Sequence, residues 1–287
     1  MITNAYLPLL VAGLLLLFLV LEKWFPLRQM RMAWTFRLIL NLAISGLAFA
    51  TALLFVRPAA MRTLNWSADT SFGILHVLPL PRPAQAILGF LLLDLSFYYW
   101  HLLNHKLPIL WRFHNVHHID PDLDVSTGFR FHFGEVLFST IFRVIQVTLL
   151  GISLETFVAY EFVFQANTLF HHSNVRLPIG LERLLNLVMV TPRMHGIHHS
   201  QVKPETNSNY GVVFSVWDKL HRTIGLNIPQ RALEIGMAGY SSPEDNRFWR
   251  LLALPLGKQR DYWRKPDGTM PNRQLSTATG NRHHLAE

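Results

Sequence analysis

Residues 84–105 read AQAILGFLLLDLSFYYWHLLNH: an apolar run broken by one carboxylate, Asp94, that passes directly into His101 and His105. A helix needs roughly 17–25 mainly apolar residues to span a bilayer. On a helix, residues four apart share a face. The stretch therefore predicts a membrane helix that ends by turning two imidazoles the same way. Similar blocks lie on both sides of it. Ala5–Leu21 and Leu38–Val56 carry no charge, and Val136–Phe170 is interrupted only by Arg143, Glu155 and Glu161. These runs are too long and too uniformly apolar for buried core helices. They predict an all-α integral membrane protein with about four or five transmembrane or membrane-embedded helices.

The first block is not expected to be a cleaved signal peptide, because MITN carries no positive charge and no small-residue cleavage site follows. Lys23, Arg28, Arg31 and Arg37 fall between the first two spans, which places that segment in the cytoplasm by the positive-inside rule. A loop over Arg57–Arg82 then leads to the third span, whose histidine end returns to the cytoplasm. For a later histidine cluster to meet the first, Val136–Phe170 must leave and return on one side. Gly151-Ile-Ser-Leu-Glu155 is the natural turn of that hairpin.

Three histidine clusters follow one another: His101-x3-His105, His114-x2-His117-His118 and His195-x2-His198-His199. Each spacing turns its imidazoles toward one side of a helix. Eight nitrogen donors exceed the four that a structural zinc site uses, so they suffice for two neighbouring ions. One such motif arises easily by chance; three in order do not. Imidazole suits iron, zinc and copper, and with no cysteine in the chain the ligands are nitrogen and oxygen only.

Half of the 287 residues are hydrophobic, 15% are charged, and the formal net charge is +8. Fifteen of the 26 Lys and Arg residues lie in 171–287. No nucleic-acid motif accompanies that charge, and basic residues facing anionic headgroups explain it. The domain reading is 1–83, a membrane hairpin and loop; 84–225, a di-metal domain; 226–265, a cytoplasmic extension; and 266–287, a polar, disordered tail.

Taken in order on a polytopic scaffold, these motifs resemble the fatty acid hydroxylase and sterol desaturase superfamily, closest to its bacterial "sterol desaturase family" branch. The resemblance covers roughly Ala84–Thr223. It includes Asp94-Leu-Ser-Phe-Tyr-Tyr-Trp-His101, Trp111-Arg-Phe-His114, Phe129-Arg-Phe-His132-Phe-Gly-Glu135, Thr191-Pro-Arg-Met-His195 and Asn209-Tyr-Gly through Asp218 to Thr223. It implies a di-iron site, with zinc able to take the same imidazoles in a purified sample, in a cytoplasmic helical cap on a bacterial inner-membrane protein. It further implies dioxygen as co-substrate, an apolar membrane lipid as substrate, and hydroxylation or desaturation of that lipid. With no cytochrome domain ahead of the first span, electrons are expected from a separate redox protein. A non-catalytic membrane protein that binds metal or lipid is the alternative.

Beyond the eight histidines, His171 is expected as a ninth ligand, and His172 as a further ligand or a neighbour that orients one. Fatty acid 2-hydroxylases within the superfamily carry a histidine four positions before His171, where this chain has Asn167. Asp94, two turns before His101, either bonds a ligand imidazole or faces a water-filled cavity. His132, with Glu135 one turn on, either contacts the site or caps the next helix. Asn209 and Asp218 either orient ligand imidazoles or shape a turn. His221 reads as structural.

Overall fold

The computed structural model describes residues 3–273. Helix α1 covers Thr3–Trp24, and α2, Trp34–Thr51, runs through a π-helical segment at Ala52–Val56 into α3, Arg57–Thr70. Pro58 explains the π segment: it has no N–H for the carbonyl four residues back, and its ring crowds that carbonyl. The expected loop over Arg57–Arg82 is therefore largely helical, with a further short helix, α4, at Ile74–Val77. Helices α5 (Arg82–Lys106) and α6 (Pro108–His118) follow, then α7 (Phe133–Leu150) and α8 (Leu154–His172). Shorter helices complete the cap: α9 (Ile179–Leu185), α10 (Pro192–His198), α11 (Lys203–Thr206), α12 (Val216–Leu220) and α13 (Phe248–Ala253). There is no strand among the described residues, and the chain is an all-α membrane protein.

Among the described residues three helices are long and apolar enough to cross a bilayer: Trp34–Val77, Arg82–Lys106 and Phe133–Leu150. Prolines in the first turns of α5, α6 and α10 sit where a helix has no use for an N–H. The α7–α8 hairpin closes where expected. Gly151 ends α7 with φ +67°, and the Ser153 hydroxyl accepts from Thr156 N to start α8. Gly73 crosses this turn so closely that a β-carbon on it would lie 2.4 Å from the Gly151 Cα. Glycine is required there. Two of the three charges that interrupt the hairpin sequence pair inside it, Arg143 bonding Glu161 across the two helices and Gln146 at 2.9 Å along its own, while Glu155 is exposed.

A buried ionic clasp joins the N-terminal helices to the cap. Arg37, 1% exposed, donates to both Asp120 oxygens at 2.8 Å and to Asp124 at 2.5 Å. Arg130 donates from Nε to the Val116 carbonyl at 2.9 Å and from Nη2 to Asn246 at 2.7 Å. Burial alone would raise the Asp120 carboxyl, yet Arg37 and Arg130 hold it at about 2. Arg28 is buried as well, donating to Gln230 at 2.6 Å. Two of the four basic residues that carried the orientation argument thus serve the interior.

At the C-terminus, residues 226–265 wrap α6, burying Met237, Tyr240 and Leu251 with Trp111, Val116 and Ile119. The expected tail begins ordered: Arg273 bonds Glu205 at 2.6 and 3.0 Å and the Ala232 carbonyl at 2.8 Å. The rest of it, with His283 and His284, lies outside the described residues.

Breaking the clasp strands three buried carboxylates. Arg37→Ala should lower stability by about 3–5 kcal/mol, read as a drop in thermal midpoint in detergent. Arg247→Ala, which removes an exposed pair with Glu244, should leave the midpoint within experimental error.

Candidate metal centre

The histidines meet where α5 leaves the apolar bundle and enters the cap. They form two groups, each with one nitrogen per residue within 4.8 Å of the others: His101, His105, His114, His118 and His198; and His117, His172, His195 and His199. The expectation that each cluster points one way fails in an informative manner. In both H-x2-HH motifs the residues four apart stay together, while the one between them points to the other group. Adjacent helical residues diverge by about 100°, so each HH pair supplies one imidazole to each group. Two short helix ends, α6 and α10, thereby hold both groups together. The His118 and His199 rings, one from each group, stack at 4.4 Å.

Hydrogen bonds to the second ring nitrogens orient the ligands. His101 Nδ1 donates to the Tyr210 carbonyl at 2.9 Å and His198 Nδ1 to the Ser208 carbonyl at 2.7 Å. His172 Nδ1 donates to the Thr168 carbonyl at 2.8 Å. His114 Nδ1 donates to Glu135 Oε1 at 2.9 Å. Such a donation leaves Nε2 as the free, basic nitrogen. The Nε2 atoms of His114 and His198 are buried without a protein partner, as are both ring nitrogens of His105 and His118. In the second group, His172 Nε2 lies 3.1 Å from His117 Nε2 and 3.0 Å from His195 Nε2, with His199 Nε2 3.1 Å from His195 Nε2. Ligands bound at about 2.0–2.1 Å in a tetrahedron stand roughly 3.3 Å apart, so this is ligand spacing. Buried polar atoms are ordinarily satisfied, and cations at both foci would satisfy these. The residues fit two metal ions.

Burial, followed by the neighbouring imidazoles, holds His117, His118, His195 and His199 well below the usual histidine range. Burial likewise lowers His198 to about 3. The imidazoles are therefore neutral near pH 7, the form a metal requires.

Several expected residues lie elsewhere. His172, not His171, stands in the second group; Asn167 Nδ2 lies 3.3 Å from His171 Nδ1, and the His171 ring packs 4.2 Å from His195. His171 and His172 are 100° apart on the last turn of α8, which decides the matter. Asp94 touches no ligand. It accepts from Val213 N (3.3 Å), Phe214 N (3.0 Å), Trp217 Nε1 (2.8 Å) and Tyr160 Oη (3.1 Å), pinning the 213–217 segment to α5. It shares a face with His101, but seven residues put it about 10 Å further down the axis. His132 caps α7, its Nδ1 accepting from Gly134 N at 2.9 Å. The carboxylate behind a ligand imidazole is Glu135, visible in the sequence only as the residue beside His132.

Asn209 and Asp218 act through the backbone. Asp218 accepts from Tyr210 N and Gly211 N at 2.8 Å each. Asn209, at φ +55°, donates to the Met194 and Gly225 carbonyls at 2.8 Å each. Together they fix the turn whose Tyr210 and Ser208 carbonyls receive His101 and His198.

The fatty acid hydroxylase family profile matches residues 86–223, which contain every one of these ligands. Residues 86–223 form a fatty acid hydroxylase domain. Among similar proteins, ornithine lipid hydroxylase OlsE of Rhizobium tropici is 36% identical over 159 residues, 55% of this chain and 47% of that protein. Human alkylglycerol monooxygenase is 26% identical over 151 residues, 51% and 32% of the two chains. Mouse cholesterol 25-hydroxylase is 29% identical over 187 residues, 62% and 59%. The chain thus spans between about a third and three fifths of these relatives. No solved structure matches it.

Three outcomes follow from this geometry. Glu135→Gln should weaken metal binding by about 10–100-fold, measured by chelator competition. His172→Ala should lose one of two bound metals while His171→Ala keeps both, by metal analysis of detergent-purified protein. In metal-free protein, a histidine lowered on folding favours the unfolded chain once protons are available. Stability should therefore fall as pH drops below the unfolded value of 6.5 toward the folded value near 3 for His198; bound metal should oppose that fall by keeping the imidazoles unprotonated.

Proposed function

We propose that this chain is a di-iron lipid hydroxylase: an integral membrane oxidoreductase that inserts oxygen into an apolar C–H bond of an amphiphilic membrane lipid. The observation that carries the reading is the nine imidazoles, seven of them on almost fully buried residues, gathered into two adjacent groups where an apolar span meets the cap. The named activities of the relatives agree with it, since each acts on a lipid with an extended apolar body. They favour hydroxylation over desaturation.

Two bound irons would supply what no side chain can, the reductive activation of dioxygen to an oxidant able to take hydrogen from an unactivated carbon. The balance is one C–H bond, one dioxygen, two electrons and two protons giving one C–OH and one water. The electrons come from a separate redox protein. His114 with Glu135, and His101 and His198 with their carbonyl acceptors, keep Nε2 directed at the foci and the imidazoles basic. Neutral imidazoles leave the positive charge on the ions uncompensated, and Glu135 is the anionic counterweight next to the five-histidine group. On this reading the lipid would enter laterally from the bilayer, without passing through water.

The orientation proposed is N-terminus outside, cap and C-terminus in the cytoplasm of a bacterial inner membrane, where soluble redox partners are available. Compartment-specific reporters fused to each end should report opposite sides; a cytoplasmic N-terminus would overturn that orientation. The activity itself is tested by lipidomics of aerobic cells. Expression of the chain should add a lipid heavier by one oxygen, and the His198→Ala, His199→Ala double variant should not. Identical lipid profiles from the two, with both metals bound in the wild type, would leave a non-catalytic binding protein.

A further inference from the structure

Trp111 lies against the five-histidine group, its ring 4.8 Å from His105, 5.3 Å from His118 and 6.2 Å from His114. It is almost fully buried. On its far side sits Trp263, nearly parallel at 15° with ring centroids 6.0 Å apart. Tyr262 packs edge-on to Trp111 at 5.7 Å. Trp263 is half-buried and lies beneath the Lys203 ammonium, 5.6 Å from the ring centroid. Trp263 belongs to the C-terminal extension, outside the family-matched residues 86–223. The extension therefore does more than cover α6. It completes a two-indole path from the candidate metal centre to the cap surface.

Indoles are among the side chains most easily oxidised by one electron, and electron tunnelling falls off exponentially with separation. Two stacked indoles at these distances are a short, well-coupled path. Phenylalanine would fill most of either place, and it is far harder to oxidise. An oxygenase has a use for such a path. When dioxygen is activated and no substrate C–H bond is in reach, the oxidising equivalent is left facing the ligand imidazoles.

We propose that Trp111 and Trp263 form an electron relay that drains stranded oxidising equivalents from the metal centre to the cap surface; this rests on the oxygenase reading given above. Trp111 gives one electron to the centre and becomes a radical cation. Trp263 gives one electron to Trp111 and restores it. The Trp263 cation, disfavoured by the Lys203 charge over its face, loses its indole proton to water. A soluble reductant of the thiol or ascorbate class then returns one hydrogen atom to the neutral radical. At each cycle one electron passes from the reductant to the centre, the reductant's hydrogen replaces the proton that Trp263 released to water, and both indoles end unchanged.

The relay can be tested without oxygen chemistry, because the chain has no cysteine and Lys203→Cys gives a single attachment point. A ruthenium photosensitiser tethered there, flash-quenched in iron(II)-loaded, detergent-solubilised full-length protein, oxidises Trp263 from outside. Transient absorption should show the tryptophan radical decaying as ferrous iron is oxidised. Trp111→Phe should slow that iron oxidation by an order of magnitude or more while metal analysis still finds both irons. Trp263→Phe should abolish the radical signal. Equal rates in the wild type and Trp111→Phe would overturn the relay, whatever the protein does with dioxygen. In a second arm, reduced iron-loaded protein is exposed to dioxygen without lipid, and oxidised residues are located by peptide mass spectrometry. Oxygen adducts should collect on Trp263 in the wild type and shift to Trp111 and the ligand histidines in Trp263→Phe. Adducts on Trp263 that persist undiminished in Trp111→Phe would also overturn it, since they would come from diffusing oxidants. Failure to consume dioxygen at all would count against the oxygenase reading and leave the photochemical result to stand alone.

Discussion

Nine imidazoles removed from water, many with a ring nitrogen that no protein group satisfies, set the terms for the rest of this structure. A buried polar atom left unpaired costs on the order of 1–3 kcal/mol, and here such atoms are concentrated in one small volume. Protonation offers little relief, because burial and the mutual repulsion of neighbouring imidazolium charges hold His117, His118 and His198 far below the usual histidine range. Cations at the two foci would satisfy the set. The cap is organised to present nitrogen lone pairs to those foci and to prevent the rings from turning away.

Two features of helical geometry achieve that presentation. Side chains four apart stay together, so His101 with His105, His114 with His118, and His195 with His199 act as pairs. Adjacent residues diverge, so the HH pairs of α6 and α10 each reach both groups. The two foci are thereby coupled mechanically: neither α6 nor α10 can shift without disturbing both. The carbonyls of Ser208 and Tyr210, held by Asn209 and Asp218, and the Glu135 carboxylate then fix individual rings.

The cap needs a rigid base, and much of it comes from the N-terminal helices. Arg37 gathers Asp120, Asp122 and Asp124 just beyond the end of α6, while Arg130 holds the Val116 carbonyl between His114 and His117. Glu22 accepts from Val125 N at 3.0 Å and Asn174 N at 2.7 Å, linking α1 to the segments after α6 and α8. The membrane helices are therefore part of the scaffold of the site as well as its anchor in the lipid. The C-terminal extension, packed against Leu40 and Ile44 of α2, closes over Trp111 and brings an oxidisable ring to the surface.

Much of this was legible in the sequence because it rests on local periodicity. The apolar blocks at Leu38–Val56, Ala84–Trp100 and the start of Val136–Phe170 fall in the three helices long and apolar enough to cross a bilayer, the Gly151 turn gave the hairpin, and three clusters at helical spacing gave eight of the nine grouped histidines. The family resemblance followed from the same motifs. Tertiary structure decided the rest. Asp94 lies on the right face of α5 but about 10 Å too far along it, so Glu135, from a different helix, became the partner of His114. His171 and His172 cannot be separated by spacing; their 100° difference matters only once α8 is docked against α10. The helix through Arg57–Thr70 was hidden because Pro58 and its polar surroundings read as a loop, although a π segment accommodates the proline. Arg28 and Arg37 look in sequence like a cytoplasmic charge signal, and only packing shows them buried. Spacing along one helix fixes which side chains face the same way; the distances between helices fix which of them meet.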